Sequence, residues 1–133
     1  MAVGLHGVNL ANKWLDMLGA TAFTAPTNTY AKLHTSAGDP GAAATSNASS
    51  VTTRVILVWG AASAGSKAIT ATFPSWASWA GTSPETLGYI SVWDNLTVGS
   101  VLFTAALTAT KTVTTGDTFT LSSLTFGMTP LMA

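Results

Sequence analysis

Between residues 107 and 126, threonine and serine alternate with apolar side chains in the run LTATKTVTTGDTFTLSSLTF, which contains one lysine and one acid. A period of two places the apolar side chains on one face of a β-strand and the hydroxyls on the other. Threonine also favours extended backbone because its side chain is branched at Cβ. After Ser122 and Ser123, the apolar side chains move from odd to even positions. A β-bulge at this point, or two separate short strands, would explain the shift.

Further strand patterns lie between turns that are rich in Gly, Pro, Asn and Ser. They cover TYAKLHTSA (29–37), RVILVWG (54–60), KAITATF (67–73), LGYISVWD (87–94) and SVLFTAAL (100–107). The run RVILVWG is rich in β-branched residues, which indicates a strand buried on both faces. About seven or eight short strands joined by such turns predict a mainly β fold, an antiparallel, jelly-roll-like β-sandwich.

One α-helix is predicted near the N-terminus, in VNLANKWLDMLG (8–19), with Asn9 as a suitable N-cap and Gly19 as a suitable end. Its apolar side chains recur at three- and four-residue spacing, so they share one face. These side chains are Val8, Ala11, Trp14, Leu15 and Leu18. Two alternatives stay open for this face: it packs on its own domain, or it packs on a neighbouring subunit.

The chain of 133 residues has the size of a single domain, in which 1–24 is predicted as an N-terminal segment with the helix and 25–133 as the sandwich. Only 8% of the residues are charged and the formal net charge is zero, whereas roughly 25% are charged in ordinary soluble proteins. A surface with so few charges tends to self-associate. We therefore expect a homo-oligomer, a trimer or a dimer, or a surface covered by another protein. The simpler alternative is a monomer with an uncharged, hydroxyl-rich surface.

The same composition argues against several classes of partner. Lysine and arginine are scattered singly, which is unlike the clustered charge of nucleic-acid-binding proteins. No apolar run approaches the ~18–20 residues that span a bilayer, so no membrane is expected. The first residues lack a basic region followed by an apolar core, so no secretion signal is expected. The chain has no cysteine, which suits a reducing cytoplasm.

Catalytic motifs are missing from the sequence. Neither His6 nor His34 has a partner at metal-binding spacing. No serine lies in a nucleophile elbow, and no glycine-rich phosphate loop is present. His34 and Asp39 could form an acid–base pair, but a strand-end histidine and a turn aspartate are the more ordinary interpretation. We therefore expect no enzyme activity, no metal and no cofactor.

Two long loops are candidates for contacts with other molecules. The first, GDPGAAATSNASS (38–50), carries Asp39 and Asn47 and is predicted as an arm or contact loop. The second, PSWASWAGTSPET (74–86), carries Trp76 and Trp79. These indoles either cover the core as a lid, contact another protein or stack on a glycan. With the helix, the candidate protein-contact residues are Val8, Trp14, Leu18, Asp39, Asn47, Trp76 and Trp79.

Several segments together resemble a family of small structural proteins from the virions of tailed bacteriophages. The resemblance rests on the N-terminal helix, YAKLHTSAGDPG, RVILVWGAAS, TFPSW and VLFTAALTATKTVTTGDTFTL. It covers most of the chain in the same order. The family includes tail-fibre proteins, other minor structural proteins and capsid-decoration proteins. The resemblance implies a non-enzymatic virion component that is assembled in the cytoplasm of the bacterial host.

The leading hypothesis is a capsid decoration protein that binds the major capsid protein on the outside of the head and stabilises the head. Neutral, hydroxyl-rich faces suit such repeated packing, because no unpaired ion is buried. The alternative is a tail-fibre or tail-tip protein that binds a host-surface glycan through Trp76 and Trp79. The first hypothesis predicts indoles pressed against another chain, and the second predicts two exposed indoles.

Overall fold

The computed structural model describes residues 3–70 and 72–128, so residues 1–2, 71 and 129–133 of the predicted domain lie outside the described part. Within that part the fold is mainly β, with eight strands in antiparallel sheets and one N-terminal helix, which confirms the predicted fold class. The strands are β1 (Thr29–Thr35), β2 (Val55–Leu57), β3 (Ser66–Ala68), β4 (Ser75–Trp76), β5 (Glu85–Trp93), β6 (Val101–Val113), β7 (Phe119–Thr120) and β8 (Thr125–Gly127).

Four strands form the main sheet in the order β2-β1-β5-β6, and every neighbouring pair in it is antiparallel. Two short ladders accompany it, β3 with β8 and β4 with β7. Apolar side chains of the sheet and of both ladders belong to one hydrophobic cluster, which includes Leu33, Ile90, Trp76 and Phe119. The core therefore lies between the main sheet and the segments that carry the two ladders.

The alternating run that begins at Leu107 forms the second half of β6, and a large β-bulge lies at its start. Residues 107–110 of β6 lie opposite the single residue Gly88 of β5, because the register shifts there. A Cβ atom on Gly88 would lie 2.7 Å from the Cα atom of Ser36, so only glycine fits this close backbone approach. Further along, the apolar side chains change phase between β7 and β8, which pair with different strands. Two separate short strands thus explain the phase shift after Ser123.

The prediction that residues 54–60 form a strand buried on both faces is wrong. The strand β2 lies at the edge of the main sheet, where Leu57 is buried but Ile56 and Val58 are 40% and 37% exposed. Beyond β2 the chain leaves the main sheet and pairs with the segment that follows β3. There the Thr70 N–H donates to the Val58 carbonyl. A β-branched run is compatible with an edge strand as well as with a central one, since propensity does not encode position.

The N-terminal helix consists of three consecutive parts: a π-helical turn at Gly7–Ala11, an α-helix at Asn12–Asp16 and a 3-10 turn at Met17–Gly19. It ends at Gly19, as predicted. The residues before it pair with the outer edge of β6, where the His6 N–H donates to the Leu102 carbonyl at 2.8 Å. Within the described residues, no helix has the length and apolar character that crossing a lipid bilayer requires.

The sequence suggested Asn9 as the N-cap of the helix, but the N-cap is His6. The Asn9 N–H donates to His6 Nδ1 at 3.1 Å. The Asn9 side chain instead donates from Nδ2 to the Val101 carbonyl at 2.8 Å. This hydrogen bond joins residues that are 92 positions apart in the sequence, so it ties the first turn of the helix to the main sheet.

Candidate functional site

The N-terminal helix directs most of its large apolar side chains to solvent. Four side chains, which we call the helix stripe, are at least half exposed: Val8 (68%), Leu15 (64%), Met17 (50%) and Leu18 (87%). Across the whole helix only Leu10 is buried. The alternative in which the predicted apolar face packs on its own domain is therefore wrong for Val8, Leu15 and Leu18. Of that predicted face, Trp14 packs against the core cluster.

The rotation of the helix explains why the predicted face and the observed face differ. The Asn9 side chain bonds to the Val101 carbonyl, and Leu10 enters the core. These two contacts fix which side of the first turn meets the sheet. The turn is π-helical, so it holds more residues than an α-helical turn and displaces the following residues from the simple α-helical pattern.

An apolar groove with aromatic walls lies beside the helix and has a volume of about 460 Å³. We call it the aromatic groove; its lining includes Trp14, Phe23, Trp59, Phe103, Phe126 and Lys67. The rings are held in place by one another and by a hydrogen bond. Trp14 and Phe126 meet edge to face with centroids 5.5 Å apart, and the Trp59 ring nitrogen donates to the Thr29 hydroxyl at 2.7 Å. The groove is therefore an apolar surface in which several rings support one another.

Trp76 and Trp79 are buried, with exposed fractions of 4% and 2%. The ring nitrogen of Trp76 donates to the Thr53 carbonyl at 2.9 Å, and that of Trp79 donates to the Thr82 carbonyl at 3.0 Å. Both indoles belong to the core cluster, which corresponds to the lid alternative. A platform of two exposed indoles for a glycan is therefore absent from these two positions.

Asp39 and Asn47 lie together in the loop 38–50. The Asn47 side chain donates to the Asp39 carbonyl at 3.0 Å, and the Asp39 carboxylate accepts from the Gly41 N–H at 2.7 Å. Pro40 and Ala44 of the same loop are buried. The loop therefore has a defined shape that these polar groups maintain from within. A contact of this loop with another protein stays a prediction.

A buried polar network links β1 and β5. His34 Nδ1 lies 3.0 Å from the Ser46 carbonyl, and His34 Nε2 lies 2.7 Å from the Ser91 hydroxyl. Because a carbonyl only accepts, Nδ1 carries the ring proton and the Ser91 hydroxyl donates to Nε2. The Ser91 oxygen in turn accepts from the Trp93 ring nitrogen at 2.8 Å. This network was not predicted from the sequence, because its members come from distant segments.

The serine–histidine pair has the donor pattern that activates a nucleophile, but both side chains are 0% exposed. No substrate reaches a serine in that position without unfolding part of the sheet. Burial lowers the pKa of His34, and the positive charge of Lys32 lowers it further, while the hydrogen bond to Ser46 opposes both. The lowered pKa favours the neutral imidazole, which joins β1 to β5 and to the loop 38–50 through its two hydrogen bonds.

Other clusters of polar groups also serve the fold. The Glu85 carboxylate accepts from the Ser49 hydroxyl at 2.6 Å and from the Ser50 N–H at 3.0 Å, which joins the end of the loop 38–50 to β5. Within residues 3–70 and 72–128, no group of three or more His, Asp or Glu side chains is placed to hold a metal ion. Every buried side-chain N or O atom in this part of the chain has a hydrogen-bond partner.

A comparison with protein families places these features in context. The family model described as Podophage GP4 fiber I protein gp80 matches residues 8–129. The chain belongs to this family. It is therefore a structural protein of a bacteriophage and part of the virion, as the sequence resemblance implied. No curated protein matches the chain.

The helix stripe and the aromatic groove are two exposed apolar features of this gp80-family chain that lie next to each other, because Trp14 of the helix lines the groove. Of the predicted contact residues, Val8 and Leu18 belong to the stripe and Trp14 lines the groove. The other groove residues, Phe23 and Phe126 among them, were not predicted from the sequence. No local pattern marks them, because the groove is built from segments between positions 10 and 126.

Proposed function

We propose that this chain is a repeated building block of a virion fibre and that its N-terminal helix joins it to neighbouring subunits. The observation that carries the proposal is the helix stripe, in which Leu18 is 87% exposed. Large apolar side chains that are exposed together on one short segment often mark a contact with another molecule. The low charge of the chain supports the same role, because faces without ions pack together without desolvating a charge.

The family description names a fibre protein, which supports a fibre over capsid decoration. Capsid decoration was the leading hypothesis from the sequence, and it required a contact with the major capsid protein. No feature of the described surface favours a capsid shell over a fibre. Glycan recognition by Trp76 and Trp79 is not part of the proposal, because both indoles are enclosed in the core.

The position of the protein on the particle tests the proposal. Gold-labelled antibodies against the purified chain should mark fibres at the tail end of intact virions, and quantitative mass spectrometry should find fewer copies than of the major capsid protein. Particles that lack the chain should keep heads of normal heat stability. Labelling across the whole head, together with heads that lose DNA on mild heating when the chain is absent, would contradict the fibre and support decoration.

A further inference from the structure

The face of the main sheet that points away from the core carries two cations beside aromatic and apolar side chains. We propose that it binds an acidic segment with apolar neighbours from a different protein of the virion. We call this surface the cationic face; it consists of Tyr30, Lys32, Arg54, Ile56 and Trp93. The inference goes beyond the proposed function, because it assigns a second contact surface and the chemistry of its partner.

The register of the sheet places these side chains together. Ala31 of β1 is buried in the core, so its neighbours Tyr30 and Lys32 lie on the opposite face. Tyr30 pairs with Ile56 of β2 on one side and with Trp93 of β5 on the other. All four side chains of this face are at least partly exposed.

The two cations are neighbours without a matching acid. The register of β1 with β2 continues to Lys32 and Arg54, which adjoin the last paired residues and therefore lie across from each other. Like charges in such positions destabilise a sheet. Burial lowers the pKa of Lys32, and the positive charge of Arg54 lowers it further. The charge of Asp94 favours the charged form of Arg54, but the described residues contain no hydrogen bond between the two side chains.

Arg54 is held in an orientation that leaves hydrogen-bond donors available. Its Nη1 donates to the carbonyls of Asn95 and Val98, at 2.8 and 2.7 Å, in the hairpin between β5 and β6. Its guanidinium carbon lies 3.7 Å from the centre of the Trp93 ring. Within the part of the chain that the structure describes, Nε and Nη2 bond to no acceptor. A guanidinium fixed in this way loses little freedom when it binds a carboxylate.

Exposed apolar side chains surround the cations and favour a protein as the partner. Ile56 is 40% exposed, and Leu96 and Val98 in the hairpin are 49% and 76% exposed. Arginine and aromatic rings with apolar neighbours are the typical composition of a protein contact. A saccharide would stack on an open ring face, whereas Arg54 covers a face of Trp93.

The acids of this chain do not supply such a segment. Two neighbouring cations are best matched by two neighbouring carboxylates. The chain has five acidic residues, and no two of them lie within five positions of each other. Glu85 is buried on Ser49, and Asp94 belongs to the surroundings of the cationic face itself. The acidic segment therefore belongs to a different protein.

NMR titration of the purified full chain with the blocked peptide Leu-Asp-Asp-Leu measures this binding. We expect amide shifts to change at Lys32, at Arg54 and in the hairpin 94–100, and the affinity to fall as salt is added, because exposed charges are screened. The peptide Leu-Asn-Asn-Leu has nearly the same shape without charge and should bind at least about tenfold more weakly. Equal affinities of the two peptides would overturn the inference.

Lys32→Met separates binding from folding, because it keeps an unbranched apolar stem and removes the charge. It should weaken binding of Leu-Asp-Asp-Leu about threefold to fivefold. The urea midpoint should stay equal or rise, since Arg54 loses a like-charged neighbour. The matched control is Lys111→Met, at an exposed lysine of β6, which should leave the affinity unchanged. A lower midpoint with unchanged affinity for Lys32→Met would show that Lys32 serves only the fold.

Two further ligands distinguish the partner from other occupants. Trigalacturonate tests an acidic saccharide, and a peptide of residues 12–20 of this chain tests a second copy. Both should bind more weakly than Leu-Asp-Asp-Leu. Tighter binding of either one, or no shift at the cationic face with Leu-Asp-Asp-Leu, would overturn the inference. Antibody labelling of virion fibres does not depend on these results, so the proposed function is tested separately.

Discussion

The N-terminal helix exposes leucines, whereas the loop around Trp76 and Trp79 buries indoles, although both segments are short and carry large apolar side chains. The difference lies in the partners that each segment finds in its own chain. The loop forms the β4–β7 ladder, and Trp79 exchanges backbone hydrogen bonds with Gly116 and Asp117. The helix is tied to the sheet by one side-chain hydrogen bond from Asn9, and it buries Leu10 and partly buries Trp14 against the core.

The comparison shows that hydrophobicity alone does not decide which apolar segment enters the core. A segment enters when its polar groups also find partners there, since an unpaired buried donor costs about 1–3 kcal/mol. Both indole N–H groups meet carbonyls in the core. At the end of the helix, the Ala20 N–H donates to the Met17 carbonyl and the Thr21 N–H donates to the Asp16 carbonyl, so these backbone groups are bonded without help from the core. The leucines of the helix are left available for assembly.

The largest loss of stability should come from truncating a buried tryptophan of the loop. Trp79→Ala removes a side chain that is 2% exposed, and truncation of a buried tryptophan costs about 3–5 kcal/mol. Urea denaturation followed by circular dichroism measures the loss. Trp79→Phe is the matched control, because it keeps an aromatic ring but removes the N–H that bonds to Thr82, and its cost should be intermediate. A cost below about 1 kcal/mol for Trp79→Ala would mean that the loop is not part of the core.

A smaller loss of stability is expected when the pH is lowered and His34, in the buried polar network, takes up a proton. The pKa of His34 is lowered in the folded protein, so the folded state binds fewer protons than the unfolded chain. Stability should be complete above the unfolded pKa of about 6.5 and should fall as the pH drops from there towards the folded pKa. The slope contributed by this one residue is at most about 1.4 kcal/mol per pH unit.

Denaturation at a series of pH values between neutral and mildly acidic measures this slope. Protonation of Nε2 forces the Ser91 hydroxyl to give up its acceptor, while the oxygen still accepts from Trp93. The variant His34→Gln should be less stable at neutral pH and should have a flatter dependence on pH than the wild type. Equal slopes in the two proteins would show that His34 does not titrate in this range.

The sequence predicted those parts of the molecule that depend on local pattern. The alternation in residues 29–37 and 87–94 predicted two strands, which the structure places at Thr29–Thr35 and Glu85–Trp93 in the centre of the main sheet. The edge position of β2 was not predictable from its β-branched run, since it depends on which strands the sheet places beside it. The network of His34 and Ser91 joins residues 57 positions apart, which no local pattern reports.

The candidate site was predictable in part. The spacing of Val8, Leu15 and Leu18 identified an apolar stripe, but its exposure depends on the bond from Asn9 to Val101. The aromatic groove had no sequence signal, because its walls meet only in the folded chain. The two tryptophans in WASW were open to three interpretations, and their burial was decided by carbonyls at positions 53 and 82.

The smallest loss of stability should come from truncating an exposed leucine of the helix. The helix also offers a buried leucine, so the same substitution can be compared at both positions. Leu18→Ala removes a side chain that is 87% exposed and should change the stability of the monomer by less than about 0.5 kcal/mol. Leu10→Ala removes one that is 5% exposed, and this truncation should cost about 2–5 kcal/mol. Urea denaturation at protein concentrations low enough to keep the chain monomeric makes the two values comparable, because association would otherwise stabilise the folded state. If both truncations cost the same, the second half of the helix packs on its own chain after all, and the stripe has no surface left to offer a neighbour.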